Sequence, residues 1–168
     1  PNNVKSIGEG IFFDCCRLKS VSIGNSVSSI KECSFFGCTE LSSISIGPSV
    51  ISIGVHAFVN CSGLISLSIP SNVQSIAEGA FYICSGLSNV IIHGSIQTID
   101  IDAFNGCTSL TTFTIGTDVT SIKDRAFLDC SSLKEIIIPD NVISIGAQVF
   151  MGCYGLTKIH IGNGVTSI

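Results

Sequence analysis

The residues most able to do chemistry lie in one short stretch, residues 126–139 with the sequence AFLDCSSLKEIIIP. Cys130 follows Asp129 and precedes two serines, and a cysteine in such a polar setting could be a nucleophile or a metal ligand. A catalytic nucleophile occurs once per active site. Whether Cys130 does chemistry therefore depends on whether its setting is unique in the chain.

The setting is not unique, because a cysteine returns every 23 residues, at Cys15, Cys38, Cys61, Cys84, Cys107, Cys130 and Cys153. We number each repeat from this cysteine, which is slot 0, and count the repeats from Cys15. A residue that returns in every repeat belongs to the geometry of the coil, and a free cysteine packs as a small buried hydrophobe. We therefore expect the thiols from Cys38 to Cys153 to be reduced, buried and unreactive. Paired C-x-x-C spacing is absent and stacked side chains point in parallel, so neither zinc nor disulfides are expected.

The remaining candidates for chemistry are dispersed. His56, His93 and His160 occupy slots 18, 9 and 7, so they lie on different faces of the repeat and form no shared metal site or charge relay. Carboxylates fall mostly at slots 16 to 18 as a solvated face, and the glycines fall at turn slots rather than in a phosphate-binding loop. We expect no enzyme, with no catalytic, cofactor-binding or metal-binding residues.

Composition excludes two further classes of partner. The formal net charge is −4, and the eight basic residues are scattered singly, which argues against nucleic acid. Mean hydropathy is high at +0.59. No apolar run approaches the roughly 18 residues that a membrane span requires, so direct membrane insertion of this chain is not expected. The repeat pattern is already under way at Pro1 and still under way at Ile168, which we interpret as a fragment of a longer protein.

The repeat itself predicts the elements that carry these residues. Slot 3 is always Leu, slots 8 and 15 are always Ile, and slot 20 is always Phe. Apolar slots 6 and 8 alternate with outward slots 5 and 7, which predicts a strand and hence a continuous parallel sheet. Turn residues follow at slots 9 to 11, then a short extended segment at slots 12 to 15 and one helical or 3₁₀ turn at slots 16 to 22. A Ser or Thr in every slot 14 predicts a stacked hydroxyl row. Only stacked repeats can bury the apolar side, so residues 1–168 form a single solenoid of about seven repeats.

The pattern L-x-x-L-x-[LI], a turn, then V-x-x-I-G-x-x-A-F-x-x-C resembles the leucine-rich repeats of the BspA-like (Treponema pallidum-type) class over the whole chain. It lacks the asparagine ladder of ordinary leucine-rich repeats and carries Gly or Pro in slot 9. The resemblance implies a right-handed coil with a parallel β-sheet on one face and short extended or helical turns on the other. Proteins of this class are often surface or secreted proteins of host-associated bacteria and some mucosal protozoa, and several act in adhesion. It thus implies a cell-surface or secreted location and a protein partner, such as a host or cell-surface protein.

Two other functions remain open. The chain could be a structural spacer without a ligand, or an intracellular interaction scaffold, which unpaired cysteines would suit. Neither terminal repeat shows a polar cap, so either end-to-end self-association or fraying of the terminal repeats is expected.

If the chain binds a ligand, the outward strand slots 5 and 7 should hold it. These slots carry only serine in the first three repeats and become chemically varied afterwards, which a specific contact surface requires because affinity concentrates in a few anchors. The candidate ligand-binding residues are Asn89, Ile91, Thr112, Thr114, Glu135, Ile137, Lys158 and His160.

Overall fold

The computed structural model describes residues 3–93 and 95–168 as a parallel β-solenoid of about seven turns, which confirms the predicted repeat fold. The strands are β1 Ser6–Ile7, β2 Ser20–Ser22, β3 Ser29–Ile30, β4 Ser43–Ser45, β5 Ser52–Ile53, β6 Ser66–Ile69, β7 Ser75–Ile76, β8 Asn89–Ile92, β9 Thr98–Ile99, β10 Thr112–Thr114, β11 Ser121–Ile122, β12 Glu135–Ile138, β13 Ser144–Ile145 and β14 Lys158–Ile161. Within these described ranges no helix is formed.

The first six repeats each contribute one strand to each of two faces; the partial copy in front contributes β1, and the seventh repeat contributes β14 and an isolated bridge at Ser167. The odd-numbered strands come from slots 14 and 15 and form one seven-stranded sheet, which we call the narrow sheet. The even-numbered strands come from slots 5 to 8 and form the wide face. The continuous sheet was predicted on the wide face, but that face divides into three sheets, β2-β4, β6-β8-β10 and β12-β14.

The divisions of the wide face coincide with the residue type in slot 4. A Ser or Thr there donates both its backbone N–H and its hydroxyl to the slot-4 carbonyl of the preceding repeat. Thr111, for example, bonds the Ser88 oxygen at 2.9 Å through its N–H and at 3.0 Å through Oγ1. Slot 4 is Ile65 in the third repeat and Lys134 in the sixth, and neither residue makes these bonds within the described ranges. The sheet is interrupted at those two positions.

Hydroxyl groups therefore join the repeats, although not in the predicted row. Within the described part of the chain, the slot-14 hydroxyls show one direct contact, Ser121 Oγ to Ser144 Oγ at 2.9 Å. The hydroxyls that donate to backbone carbonyls one repeat earlier lie in slots 1, 4 and 13 instead, with Ser34 in slot 19 as a single further case. A donor in these slots points along the stack axis, where the carbonyls of the neighbouring repeat lie.

The slot-0 thiols are buried from Cys38 to Cys153, as predicted, and all nine cysteines are free. Each buried thiol also donates to the carbonyl of the slot-20 phenylalanine 26 residues earlier. The Sγ–O distances are 3.1 to 3.4 Å for the pairs Cys38–Phe12, Cys61–Phe35, Cys84–Phe58, Cys107–Phe81, Cys130–Phe104 and Cys153–Phe127. Burial raises the pKa of Cys38 to about 11 and that of Cys84 to about 12, so both thiols keep their protons at neutral pH.

The slot-20 phenylalanines form a continuous aromatic stack through the core. Neighbouring rings are nearly parallel, with centroids 5.1 Å apart for Phe35 and Phe58 and 5.8 Å apart for Phe104 and Phe127. This spacing follows the separation of neighbouring strands, about 4.8 Å in an ideal sheet. The stack, the thiols and the apolar slots of both sheets make one core.

The segment at slots 16 to 22 forms linked turns rather than a helical turn. Bonds from residue i+3 to residue i recur there, as from Ala57 to Gly54 and from Val59 to His56, both at 3.3 Å. Slots 18 and 22 have positive φ in every described repeat, near +51° to +75°. A right-handed helix cannot continue through left-handed residues, so the hydrogen-bonded turns never extend into one.

Candidate ligand-binding face

The eight candidate residues lie together as two columns on the wide face. Slot 5 contributes Asn89, Thr112, Glu135 and Lys158, and slot 7 contributes Ile91, Thr114, Ile137 and His160. Asn89 and Ile91 are half-buried and the other six are exposed. Because the strands are parallel and in register, each side chain is adjacent to the candidate of the next repeat except where the sheet is interrupted between β10 and β12.

Neighbouring polar candidates are paired with each other. Lys158 Nζ lies 2.6 Å from Glu135 Oε1. Thr112 Oγ1 donates to Asn89 Oδ1 at 2.7 Å. The Lys158–Glu135 ion pair is exposed, so it contributes only about 0–1 kcal/mol to stability. Ile137, two residues after Glu135 on β12, has 56% of its surface exposed.

A cleft of about 700 Å³ opens on the wide face between β10 and β12, and we call it the apolar cleft. No backbone hydrogen bond joins these two strands in the described residues. The lining residues are Thr111, Thr112, Phe113, Thr114, Ile115, Lys134, Glu135, Ile137 and Pro139. Four of the candidate residues, Thr112, Thr114, Glu135 and Ile137, thus line the cleft.

Phe113 accounts for the position of the apolar cleft. It is the one aromatic residue in slot 6, where the other repeats carry Val, Ile or Leu. Its ring lies edge-on to Phe104 at 4.9 Å and to Phe127 at 4.7 Å. The ring packs against both members of the stack where their separation reaches 5.8 Å, and β10 and β12 are unpaired directly above it.

A second cluster of functional groups lies on the turn side, centred on slot 18. Arg125 donates from Nε and Nη2 to the two oxygens of Asp102, at 3.0 and 2.8 Å. Asn105 Nδ2 donates to the same carboxylate at 2.7 Å. Burial raises the pKa of Asp102, but the hydrogen bonds from Arg125 and Asn105 outweigh it and hold that pKa below its usual value. The three residues line a cleft of about 210 Å³, together with His56 and Tyr82.

This turn-side cluster is a satisfied ion pair that fastens the fourth repeat to the fifth. Within residues 3–93 and 95–168, no group of three or more His, Cys, Asp or Glu residues is arranged to hold a metal ion. The same ranges contain no helix long and apolar enough to cross a membrane.

Comparison with solved structures identifies bacterial leucine-rich-repeat proteins. A leucine-rich cell-surface protein from Faecalibacterium prausnitzii A2-165 is 27% identical with a TM-score of 0.69, and the match covers 96% of this chain and 58% of that one. The Treponema pallidum leucine-rich-repeat protein is 27% identical with a TM-score of 0.65, covering 94% and 63%. A leucine-rich-repeat protein from Bacteroides ovatus ATCC 8483, 22% identical with a TM-score of 0.60 and covering 98% and 66%, shows the fold alone.

The chain therefore spans less than two thirds of each of these proteins. Comparison with curated proteins gives no match. The family model of the BspA type leucine rich repeat region, which contains six copies, matches residues 1–111 and again residues 52–168. The two matches together cover the whole chain. The 23-residue period, the slot-0 thiol and the slot-20 phenylalanine recur throughout both matched ranges, and the chain belongs to the BspA type leucine-rich-repeat family.

Proposed function

We propose that this chain is a non-catalytic protein-binding module of a cell-surface or secreted protein, used in adhesion, with its ligand on the wide face. The observation that carries the proposal is the apolar cleft between β10 and β12. Exposed apolar surface that is rimmed by polar residues is typical of protein-binding sites. The description of the Faecalibacterium relative as a cell-surface protein supports the location.

The cleft has the composition of an anchor site for a protein ligand. Its floor is Phe113, Ile115 and Pro139, and Ile137 stands exposed at its edge. Threonine hydroxyls and the Glu135 carboxylate surround this apolar surface and can bond a ligand backbone. Binding energy in protein interfaces concentrates in such central apolar positions, with the polar rim excluding water.

For the first three repeats, the alternative function of a structural spacer fits better. Their outward slots are all serine and present a uniform small surface. We infer that the wide face of the first three repeats mainly holds the varied repeats in position. An intracellular scaffold remains the third candidate, and localisation of the full-length protein distinguishes it.

A side-chain exchange tests the proposal. One variant replaces Glu135, Ile137, Lys158 and His160 with serine, which copies the first repeats. A matched control leaves those four residues unchanged and introduces the same side chains on β2 and β4, as Ser20→Glu, Ser22→Ile, Ser43→Lys and Ser45→His. Both variants and the parent chain are tested by surface plasmon resonance against a panel of purified extracellular-matrix and cell-surface proteins.

We expect the serine variant to lose binding to whichever panel member the parent chain binds, and the control to keep it. Both variants should melt at the temperature of the parent chain, since all eight changes are on exposed or outward slots. Retained binding by the serine variant together with loss in the control would refute the assignment to β12 and β14. No binding to any protein would favour the spacer.

A further inference from the structure

The narrow sheet has an interruption of its own, between the third and fourth repeats. The slot-13 N–H donates to the slot-13 carbonyl one repeat earlier throughout this sheet, as Gln74 does to Ile51 and Thr120 does to Gln97, each at 2.8 Å. The corresponding bond from Gln97 to Gln74 is missing within the described ranges. Strands β7 and β9 are paired at a single position, Ile76 with Ile99. Among the described residues, the narrow sheet therefore lacks one backbone bond at this point.

An opening of about 670 Å³ lies at this interruption, lined by Gln74, Ser75, Ser95, Gln97 and Asp118. It continues into an opening of about 500 Å³ that shares Gln74 and Ser95. The additional lining residues of the second opening are Ser28, Ser49, Ile51 and Asn72. We call the two together the polar cleft, and it runs along the stack axis over slots 11 and 13 of five successive repeats.

The side chains of the polar cleft restrict the chemistry of a ligand. All but one are hydroxyls, amides or a carboxylate, and no Lys or Arg lines either opening, so an anion is disfavoured. Asp118 is held in place by the Ser95 N–H, which donates to Oδ2 at 2.9 Å and leaves the other carboxylate oxygen available. The exposed amides of Gln74 and Gln97 make no hydrogen bond to any described residue. The arrangement fits an uncharged ligand with many hydroxyl groups.

The repeat distance adds a second restriction. Neighbouring strands lie about 4.8 Å apart, and a β-1,4-linked hexose chain advances by nearly the same distance per sugar ring. Successive rings of such a chain are turned over, but both edges of each ring carry hydroxyls, so amides and hydroxyls on successive repeats can meet successive rings. Ile51, 46% exposed within the cleft, offers an apolar surface to the C–H face of a ring. We propose that the polar cleft binds a neutral β-linked oligosaccharide of about four rings along the stack axis.

The proposal is tested by nuclear magnetic resonance titration of the ¹⁵N-labelled chain with cellotetraose and cellobiose. We expect saturable shifts confined to residues 49–51, 72–75, 95–97 and 118, with cellotetraose bound about tenfold more tightly than cellobiose because it reaches more repeats. The substitutions Gln74→Ala and Gln97→Ala should each weaken cellotetraose binding about tenfold, since each removes an amide that bonds the sugar.

Asn163→Ala is the matched control, because it removes an exposed amide from the same turn region outside the cleft. This control should bind like the parent chain, and dispersed amide spectra show that each variant remains folded. Absence of saturable shifts with cellotetraose would overturn the proposal, as would unchanged affinity in both glutamine variants. Equal shifts at the same residues with the capped peptide Ac-Ser-Gly-Ser-Gly-NH₂ would assign the cleft to peptides instead and would also overturn it.

Discussion

The interruptions of the wide face coincide with slot-4 residues that lack a hydroxyl, and Thr111→Val tests whether that hydroxyl supports strand pairing. The substitution keeps the branched shape and removes Oγ1, which donates to the Ser88 carbonyl at 3.0 Å. One hydrogen bond contributes about 1 kcal/mol to stability. The Ser88 oxygen keeps the N–H of Thr111 at 2.9 Å, so no polar group is orphaned. We therefore expect a loss of about 0.5–1 kcal/mol in urea unfolding and faster amide exchange at residue 111.

The reciprocal change is Lys134→Thr, which supplies the missing donor at the interruption between β10 and β12. We expect residue 134 to gain a bond to the Thr111 carbonyl, a gain of about 1 kcal/mol, and slower exchange of its amide. Thr112→Val is the matched control, because that hydroxyl bonds only the Asn89 side chain. If Lys134→Thr leaves the exchange of residue 134 unchanged, the hydroxyl does not govern pairing and the packing of Phe113 alone does.

Further changes test the core, the turns and the ion pair. The thiol of Cys84 should react with Ellman's reagent only after denaturation, and fast labelling of the native chain would contradict its buried, protonated state. Phe81→Ala should cost about 3–5 kcal/mol, with hydrogen exchange increased mainly in the adjacent repeats rather than uniformly. Ile83 is a β-branched residue at φ +56°. The substitution Ile83→Asn should therefore raise the free energy of unfolding, measured in urea, by about 1 kcal/mol, because Asn adopts positive φ more easily. The Arg125 contact to Asp102 stabilises the fold at pH values above the unfolded Asp pKa of about 3.9. This stabilisation should be lost as the pH falls through the lower pKa of Asp102 in the folded chain. Asp102→Asn should therefore remove this contribution to the pH dependence of the melting temperature, and an unchanged acid transition would refute the assignment.

The sequence predicts the parts of the fold that recur in every repeat. The period, the two extended segments and the buried thiols follow from slots whose residue type is nearly constant. Of the two slots with positive φ, only one could be predicted from its residue types. Slot 22 is rich in Gly, Asn and Asp, which favour positive φ, whereas slot 18 includes Cys33, Arg125 and Gln148, which carry no such signal.

The clefts could not be predicted because neither follows from the residue types that recur in every repeat. The two columns of candidate residues follow from the alternation of slots 5 and 7, and the structure places them side by side. The opening between them depends on how the Phe113 ring packs between two stacked rings, and on Lys134 lacking a hydroxyl. Residue types alone do not fix a ring orientation. The missing Gln97 to Gln74 bond has no signal in the residue pattern.

The hydrogen bonds between repeats also determine how the coil responds to mechanical force. These bonds run along the stack axis, from residue i to residues 23 or 26 positions away, so tension along that axis loads them one repeat at a time. A coil loaded in this way yields by sequential peeling at low force, unlike a sheet sheared along its strands. Peeling should start where a bond is already missing, beside Ile65, Gln97 or Lys134. Under tension, the two clefts would then be among the first surfaces to change shape, and the binding proposed for them would depend on force.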